Sequence, residues 1–116
     1  MAYFYLKSNV CNDQNEISKD EPYLLINGKE VWKGSMSQGQ GITFQSETPE
    51  ESNYFEPFAF AKTATVKLFE DDGNHWWDKN DFLGEKKAYS WQAGDENLSM
   101  TFTGDDANYT LQFAIA

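Results

Sequence analysis

The sequence predicts an all-β protein, an antiparallel β-sandwich of seven or eight short strands. Apolar and polar residues alternate within short segments, most regularly over residues 109–115, as expected for strands with one buried face. Turn-forming Gly, Asn, Asp and Pro residues recur roughly every ten residues, and no segment has the apolar periodicity of a helix. Because the loops of a sandwich gather at its ends, segments distant in sequence can meet there.

In the N-terminal part of the chain, strands are predicted at residues 3–10, 23–26 and 29–32, which are rich in aromatic and apolar side chains. Pro22 is compatible with the first position of a strand, although not with its centre. The pair Asn27-Gly28 is typical of a type I′ turn. The second and third strands are therefore predicted to form a hairpin.

The glycine-rich segment 34–41 is predicted to be a mobile connector. It has no Gly-Lys-Ser/Thr ending and opens no helix, so it is not a phosphate-binding loop. Pro57 indicates an edge strand or a bulge in the segment that contains it. Further strands are predicted at residues 42–45, 55–61, 63–69, 88–91, 98–102 and 109–115, with residues 82–84 beginning the return after the longest acidic loop.

Size and charge limit the functions that the chain can perform. With 116 residues and 40% apolar content, it can form one ordinary core, so residues 1–116 are predicted to be a single domain. Nineteen acidic residues against nine basic ones give a net charge of −10, which repels phosphate groups and argues against nucleic-acid binding. Cys11 has no second cysteine to pair with and is interpreted as a buried apolar thiol.

The chain is predicted to be soluble. No apolar run approaches the roughly 18 residues of a membrane span. The first residues lack the basic and apolar regions of a signal peptide.

Two acidic loops are the most informative feature of the sequence. The first covers residues 12–21, and the second lies within residues 66–85, where carboxylates stand at both ends of a loop. Oxygen ligands gathered in this way suit Ca²⁺, which accepts about six to eight oxygens in flexible geometry. The alternative is a solvated acidic hairpin tip. The candidate metal ligands are Asp13, Glu16, Asp20, Glu21, Glu70, Asp71, Asp72, Asp78 and Asp81.

Several segments resemble the motifs of C2 domains. Asp13 and residues 18–23 (SKDEPY) are similar to the first calcium loop of that family. Residues 54–60 (YFEPFAF) are similar to the Phe-Asn-Glu-x-Phe-x-Phe strand between its calcium loops. Residues 66–72 (VKLFEDD) and 81–85 (DFLGE) resemble its last calcium loop, an Asp-x-Asp followed by Asp-x-Ile-Gly. The resemblance covers roughly residues 6–85 and implies a C2-like sandwich that binds Ca²⁺ with acidic loops clustered at one end.

By this resemblance, Glu70 and Asp72 occupy the Asp-x-Asp positions, Asp81 is the third acid of that loop, and Glu21 is the acid before Pro-Tyr. Four features depart from the family pattern: Glu replaces Asp at two of these positions, the loop before Asp81 is long, Asn15 stands near an expected Asp, and there is little room for the strand that usually precedes the first loop. The resemblance therefore implies a compact variant, closer to a bacterial C2-like module. Its ligand set leaves open Asp13 or Glu16 in the first loop, and Asp20 and Asp71 after a shift of one residue.

The segment His75-Trp76-Trp77 lies inside the second acidic loop. After Ca²⁺ cancels the nearby charge, the two indoles could settle at the headgroup level of a membrane, or they could stack on a sugar ring or a partner protein. The alternative is that one indole folds back as the loop's own small core. No polybasic patch accompanies the loop, so electrostatic attraction to anionic lipid is weak.

An enzyme is the least supported class. The carboxylates lie at a loop tip without a predicted cleft, His75 is the single histidine, and no nucleophile elbow or triad is present. The sequence thus predicts a non-enzymatic calcium-binding module. The alternative is a calcium-stabilised carbohydrate-binding or adhesion module that uses Trp32, Trp76 and Trp77.

Overall fold

The computed structural model describes residues 1–13, 21–71 and 81–116. Within these ranges the chain is all-β, with two short 3₁₀ turns at Ser90–Gln92 and Gly104–Asp106. The predicted antiparallel sandwich is confirmed. The strands are β1 (Ala2–Asp13), β2 (Pro22–Ile26), β3 (Lys29–Lys33), β4 (Gly41–Thr43), β5 (Phe58–Phe60), β6 (Thr63–Glu70), β7 (Asp81–Tyr89), β8 (Leu98–Phe102) and β9 (Asn108–Ile115).

The strands form two antiparallel sheets. The first sheet has the order β4-β1-β9-β8, and the second has the order β3-β2-β6-β7. β5 joins the first sheet by pairing with the beginning of β1, where Phe4 lies opposite Phe58, whereas β4 pairs with the later part of β1, where Asn9 lies opposite Ile42. The described residues form nine strands, close to the predicted seven or eight.

The core lies between the two sheets and follows the period-2 pattern of the strands. In β6 every second residue is buried, and β2 has the same alternation. In β9 the inward residues are those that the sequence alternation predicts, from Tyr109 to Ile115. Phe4 stacks on Phe113 with a centroid separation of 4.8 Å, which links neighbouring strands across the inner face of the first sheet.

The hairpin between β2 and β3 has the predicted type of turn. Asn27 and Gly28 have φ values of 49° and 83°, both positive as a type I′ turn requires. The Asn27 side chain also fixes the neighbouring strand, because its Nδ2 donates to the Thr63 carbonyl at 3.1 Å and its Oδ1 accepts from the Thr65 amide at 2.8 Å. The turn therefore joins three strands of the second sheet.

The segment 34–41 is anchored, which differs from the mobile connector that its glycines predict. Met36 is fully buried in the core. The Gly39 amide donates to the Cys11 carbonyl at 2.7 Å, and the Cys11 amide donates to the Gln40 carbonyl at 2.9 Å. A single buried methionine and these bonds hold the segment against β1.

The predicted strand at residues 88–91 is wrong in its boundaries. β7 is continuous from Asp81 to Tyr89, and the chain then enters the 3₁₀ turn Ser90–Gln92. The turn is stabilised because the Tyr89 amide donates to Gln92 Oε1 at 2.7 Å and the Ser90 amide donates to the Lys62 carbonyl at 2.9 Å. Trp91 therefore lies in a turn and not on a strand.

Candidate functional site

Both acidic loops begin and end at the same end of the sandwich. In the second sheet, Pro22 lies opposite Glu70, and Glu70 lies opposite Asp81. The Asp71 amide donates to the Glu21 carbonyl at 3.0 Å. We call this region, with Asp13, Glu21, Glu70, Asp71 and Asp81, the acidic end. Acids far apart in the sequence are neighbours here, as the sandwich prediction requires.

The first sheet contributes the end of β1 to the same region. Asp13, its last residue, pairs with Asn108 at the start of β9. The turn before Asn108 packs on the beginning of β7, because a Cβ added to Gly104 would lie 2.7 Å from the Leu83 carbonyl oxygen. Leu83 is only two residues from Asp81, so the backbone of Asp13 belongs to the acidic end.

The described carboxylates of the acidic end differ in exposure. Glu70 is 1% exposed, whereas Asp71 and Asp81 are half-buried and Glu21 is exposed. Glu70 is buried because it continues the inward alternation of Ala64, Val66 and Leu68 along β6. A carboxylate in such a position is unfavourable unless hydrogen bonds or an opposite charge compensate it. The strand geometry thus places one negative group at the inner edge of this end.

Lys33 on β3 reaches the acidic end from the outer face of the second sheet. Its Nζ lies 2.6 Å from Asp71 Oδ2. This hydrogen bond, with further attraction from Asp71, Glu21 and Glu30, raises the pKa of Lys33 against the opposing effect of desolvation. A metal ion would have to compete with Lys33 for the Asp71 carboxylate. The geometry therefore favours Asp71 as an ion-pair partner.

A row of aromatic rings crosses the outer face of the second sheet beside the acids. Tyr23 and Phe69 stack with centroids 5.3 Å apart, and Phe69 and Phe82 are 5.2 Å apart with a tilt of 54°. Lys33 Nζ lies 5.8 Å from the centre of the Tyr23 ring. Cross-strand contacts of this kind stabilise neighbouring strands. The row thus reinforces β2, β6 and β7 where they enter the acidic loops.

A third acidic segment lies at the same end of the sandwich. Asp105 and Asp106 precede β9 and have positive φ values of 51° and 61°. Their turn contacts the beginning of β7 through Gly104. The sequence does not predict that this turn lies beside β7. It indicates that β8 and β9 pair, but not which end of the other sheet the turn between them contacts.

The remaining predicted site residues lie outside the described part of the chain. This applies to Glu16, Asp20, Asp72, Asp78, His75, Trp76 and Trp77, and to the side chain of Asp13. Among the side chains of residues 1–12, 21–71 and 81–116, no group of three or more His, Cys, Asp or Glu could hold a metal ion. The described carboxylates alone therefore do not form a complete metal site.

Trp32, predicted as part of an alternative carbohydrate-binding surface, packs against the core. Its ring meets Phe44 edge-on with a centroid separation of 5.6 Å. A Cβ added to Gly34 would clash with the Trp32 ring, so the chain also passes close to this indole. Trp32 is thus half-buried and offers little open ring surface.

Comparison with known protein families and curated proteins identifies no relative of this chain. No protein-family model matches the sequence, and no curated protein is significantly similar to it. In the part of the chain that the structure covers, no helix has the length and apolar character needed to cross a membrane. The resemblance to C2 domains therefore rests on the motifs themselves.

Proposed function

We propose that this protein is a non-enzymatic calcium-binding β-sandwich module whose two acidic loops share Ca²⁺. The observation that carries the proposal is the convergence of the loop flanks: Glu70 and Asp81 lie on adjacent strand ends, and Glu21, just before β2, accepts a backbone hydrogen bond from Asp71. These flanks come from separate parts of the sequence, and each continues into a loop rich in Asp and Glu. Oxygen donors from two loops at one end suit the variable coordination of Ca²⁺.

Calcium binding would couple the two loops. Carboxylates brought close together repel one another, and a bound divalent cation removes that repulsion. Ligands from residues 12–21 and 70–81 would then be held by the same ions. With the local charge cancelled, Trp76 and Trp77 could be presented to a membrane surface or a protein partner.

The first test is a calorimetric titration of chelator-treated protein with CaCl₂, run beside MgCl₂. We expect binding heat with calcium and much less with magnesium, because Mg²⁺ requires stricter octahedral geometry and dehydrates reluctantly. Calcium should also raise the melting temperature, since a ligand at 100 times its Kd stabilises the native state by about 2.7 kcal/mol. The absence of both heat and thermal shift would contradict the proposal.

Substitutions then locate the site. Asp72→Asn and Asp81→Asn should each weaken calcium binding by about tenfold or more, because a neutral amide replaces a charged ligand and each ~1.4 kcal/mol lost is a factor of ten. The matched control is Glu50→Gln, which removes the same charge from an exposed residue in the loop between β4 and β5. Equal losses in all three variants would show a general charge effect and exclude a specific site.

A further inference from the structure

A second surface with the features of a binding site lies at the other end of the sandwich. Trp91 is 77% exposed, although tryptophan side chains are highly buried on average. Its ring stacks on Tyr89 with centroids 5.7 Å apart and an interplanar angle of 11°. Tyr89 thus supports one face of the indole, and the solvent-exposed surface of Trp91 is available to a ligand.

The turn that carries Trp91 is held by the body of the protein. The Gly94 amide donates to the Ile115 carbonyl at 2.8 Å, and the Ile115 amide donates to the Asp95 carbonyl at 3.1 Å. Lys7 Nζ donates to the Glu96 carbonyl at 2.9 Å. Bonds to β1 and β9 therefore fix this loop before any ligand binds, which lowers the entropy lost on binding.

This surface is remote from the acidic end. β7 begins at Asp81 and ends at Tyr89, and a strand of that length spans roughly 26 Å. A ligand on Trp91 therefore cannot contact the described carboxylates of the acidic end. The two surfaces can be tested separately.

Polar side chains line a shallow cavity, largely open to solvent, beside the indole. Gln92 Oε1 accepts a hydrogen bond from the Tyr89 amide, which orients its Nε2 group as a donor. Asp95 Oδ1 accepts from the Asn97 amide at 3.0 Å, so its second oxygen is an oriented acceptor. We call Tyr89, Trp91, Gln92, Asp95, Glu96 and Asn97 the Trp91 site.

We propose that the Trp91 site binds a neutral sugar ring. The apolar C–H face of a pyranose can pack on an exposed indole, while its hydroxyl groups both donate and accept hydrogen bonds and match the mixed amides and carboxylates. Two carboxylates in the site and a net charge of −10 disfavour sulfated, phosphorylated or sialylated ligands. The ligand class that fits both the ring and the charge is therefore a neutral glycan.

A second cavity adjoins the first. Its volume is about 470 Å³, and Gly94 and Glu96 line both cavities. Tyr5 and Ser46 also line this second cavity. An oligosaccharide stacked on Trp91 would extend past Glu96 into the second cavity, where the hydroxyl groups of Tyr5 and Ser46 can form hydrogen bonds with it.

The test is binding of the whole protein to an array of neutral, sialylated and sulfated oligosaccharides, at low and high NaCl and with and without chelator. We expect binding to neutral glycans that changes little with salt or chelator. Trp91→Ala should weaken it by at least about tenfold, as expected for an aromatic anchor, while Trp91→Phe should lose less. Thermal melts should show that both variants remain folded.

The matched control is Phe82→Ala, which removes a ring that is 51% exposed at the opposite end and should leave glycan binding unchanged. Trp76→Ala and Trp77→Ala should also leave it unchanged. The proposal is overturned if no neutral glycan binds, if binding survives Trp91→Ala, if it depends on Trp76 or Trp77, or if high salt abolishes it, since that would indicate a cationic or anionic ligand. Calcium titration of Trp91→Ala shows separately whether the proposed metal function is intact.

Discussion

Asn9 is a polar residue in an apolar position. It is fully buried on the inner face of β1, between Ile42 of β4 and Leu111 of β9. Its Oδ1 and Nδ2 atoms have no hydrogen-bond partner among the described residues. An amide that leaves water without replacing its hydrogen bonds destabilises the folded state.

We predict that Asn9→Leu stabilises the protein. Leucine has a similar shape and no polar atoms, so the substitution should raise the free energy of unfolding by about 1–3 kcal/mol. Chemical denaturation would measure this change. The control on the same strand is Asn12→Leu, which should be neutral or destabilising because Asn12 Nδ2 donates to Asn108 Oδ1 at 3.1 Å and to Thr110 Oγ1 at 2.9 Å. A loss of stability in Asn9→Leu would contradict the interpretation of Asn9 as an uncompensated group.

The sequence could not predict the burial of Asn9. Simple alternation from Phe4 and Leu6 would place Ser8 and Val10 inside and Asn9 outside. The register of β1 against β9 shifts between Leu6 and Ser8, and this bulge reverses the faces. Because one extra residue inverts the pattern that follows it, side-chain alternation is reliable only between bulges.

Among the strands, β7 depends on a glycine at its own bulge. The register between β6 and β7 shifts where Leu68 pairs with Gly84 and Phe69 pairs with Phe82. Gly84 has a φ of 148°, and a Cβ there would lie 3.1 Å from the Phe102 ring. Gly84 belongs to the DFLGE segment, the most specific part of the resemblance to C2 domains. The backbone conformation and the nearby Phe102 ring explain why a glycine stands at this position.

Gly84→Ala should therefore destabilise the protein by about 1–3 kcal/mol, from backbone strain and contact with Phe102. The control Gly94→Ala has a positive φ of 101° but no atom within 4 Å of the added Cβ, so it reports backbone strain alone. Denaturation midpoints of the two variants would separate the effects. An unchanged stability in Gly84→Ala would contradict this account of the glycine.

At this scale the sequence predicted most strands, because alternation and turn residues are local signals. It did not predict that Trp91 leaves β7, since an aromatic residue after Ala88 and Tyr89 looks like the next strand position. The hydrogen bond from the Tyr89 amide to Gln92 Oε1 stabilises the turn that ends β7. The exposure of Trp91 follows from that turn, so the Trp91 site could not be found from periodicity.

For the whole molecule, the dominant electrostatic quantity is the net charge of −10. The sequence predicted that the two acidic loops lie at one end, because a sandwich brings its loops together. The structure places the residues that flank both loops at the same end of the sandwich. The third acidic turn and the ion pair of Lys33 with Asp71 were not predicted, because both depend on contacts between strands that are distant in sequence.

We predict that NaCl raises the melting temperature of the calcium-free protein. Repulsion among the acids opposes the compact state, and salt reduces the Debye length to about 10 Å at 0.1 M. The rise should be smaller with saturating CaCl₂, because bound calcium already cancels charge at the acidic end. Thermal melts across a salt series, with and without chelator, measure both effects. A melting temperature that falls with added salt would contradict this account.

The start of β1 and residue 116, just after β9, lie side by side in the first sheet. The Tyr3 amide donates to the Ala116 carbonyl at 2.8 Å, and the Ala116 amide donates to the Tyr3 carbonyl at 3.0 Å. A short peptide linker between residues 1 and 116 would therefore close the backbone into a ring without moving either strand. Such a ring lowers the entropy of the unfolded chain, and its joint lies at the opposite end of β1 from Asp13.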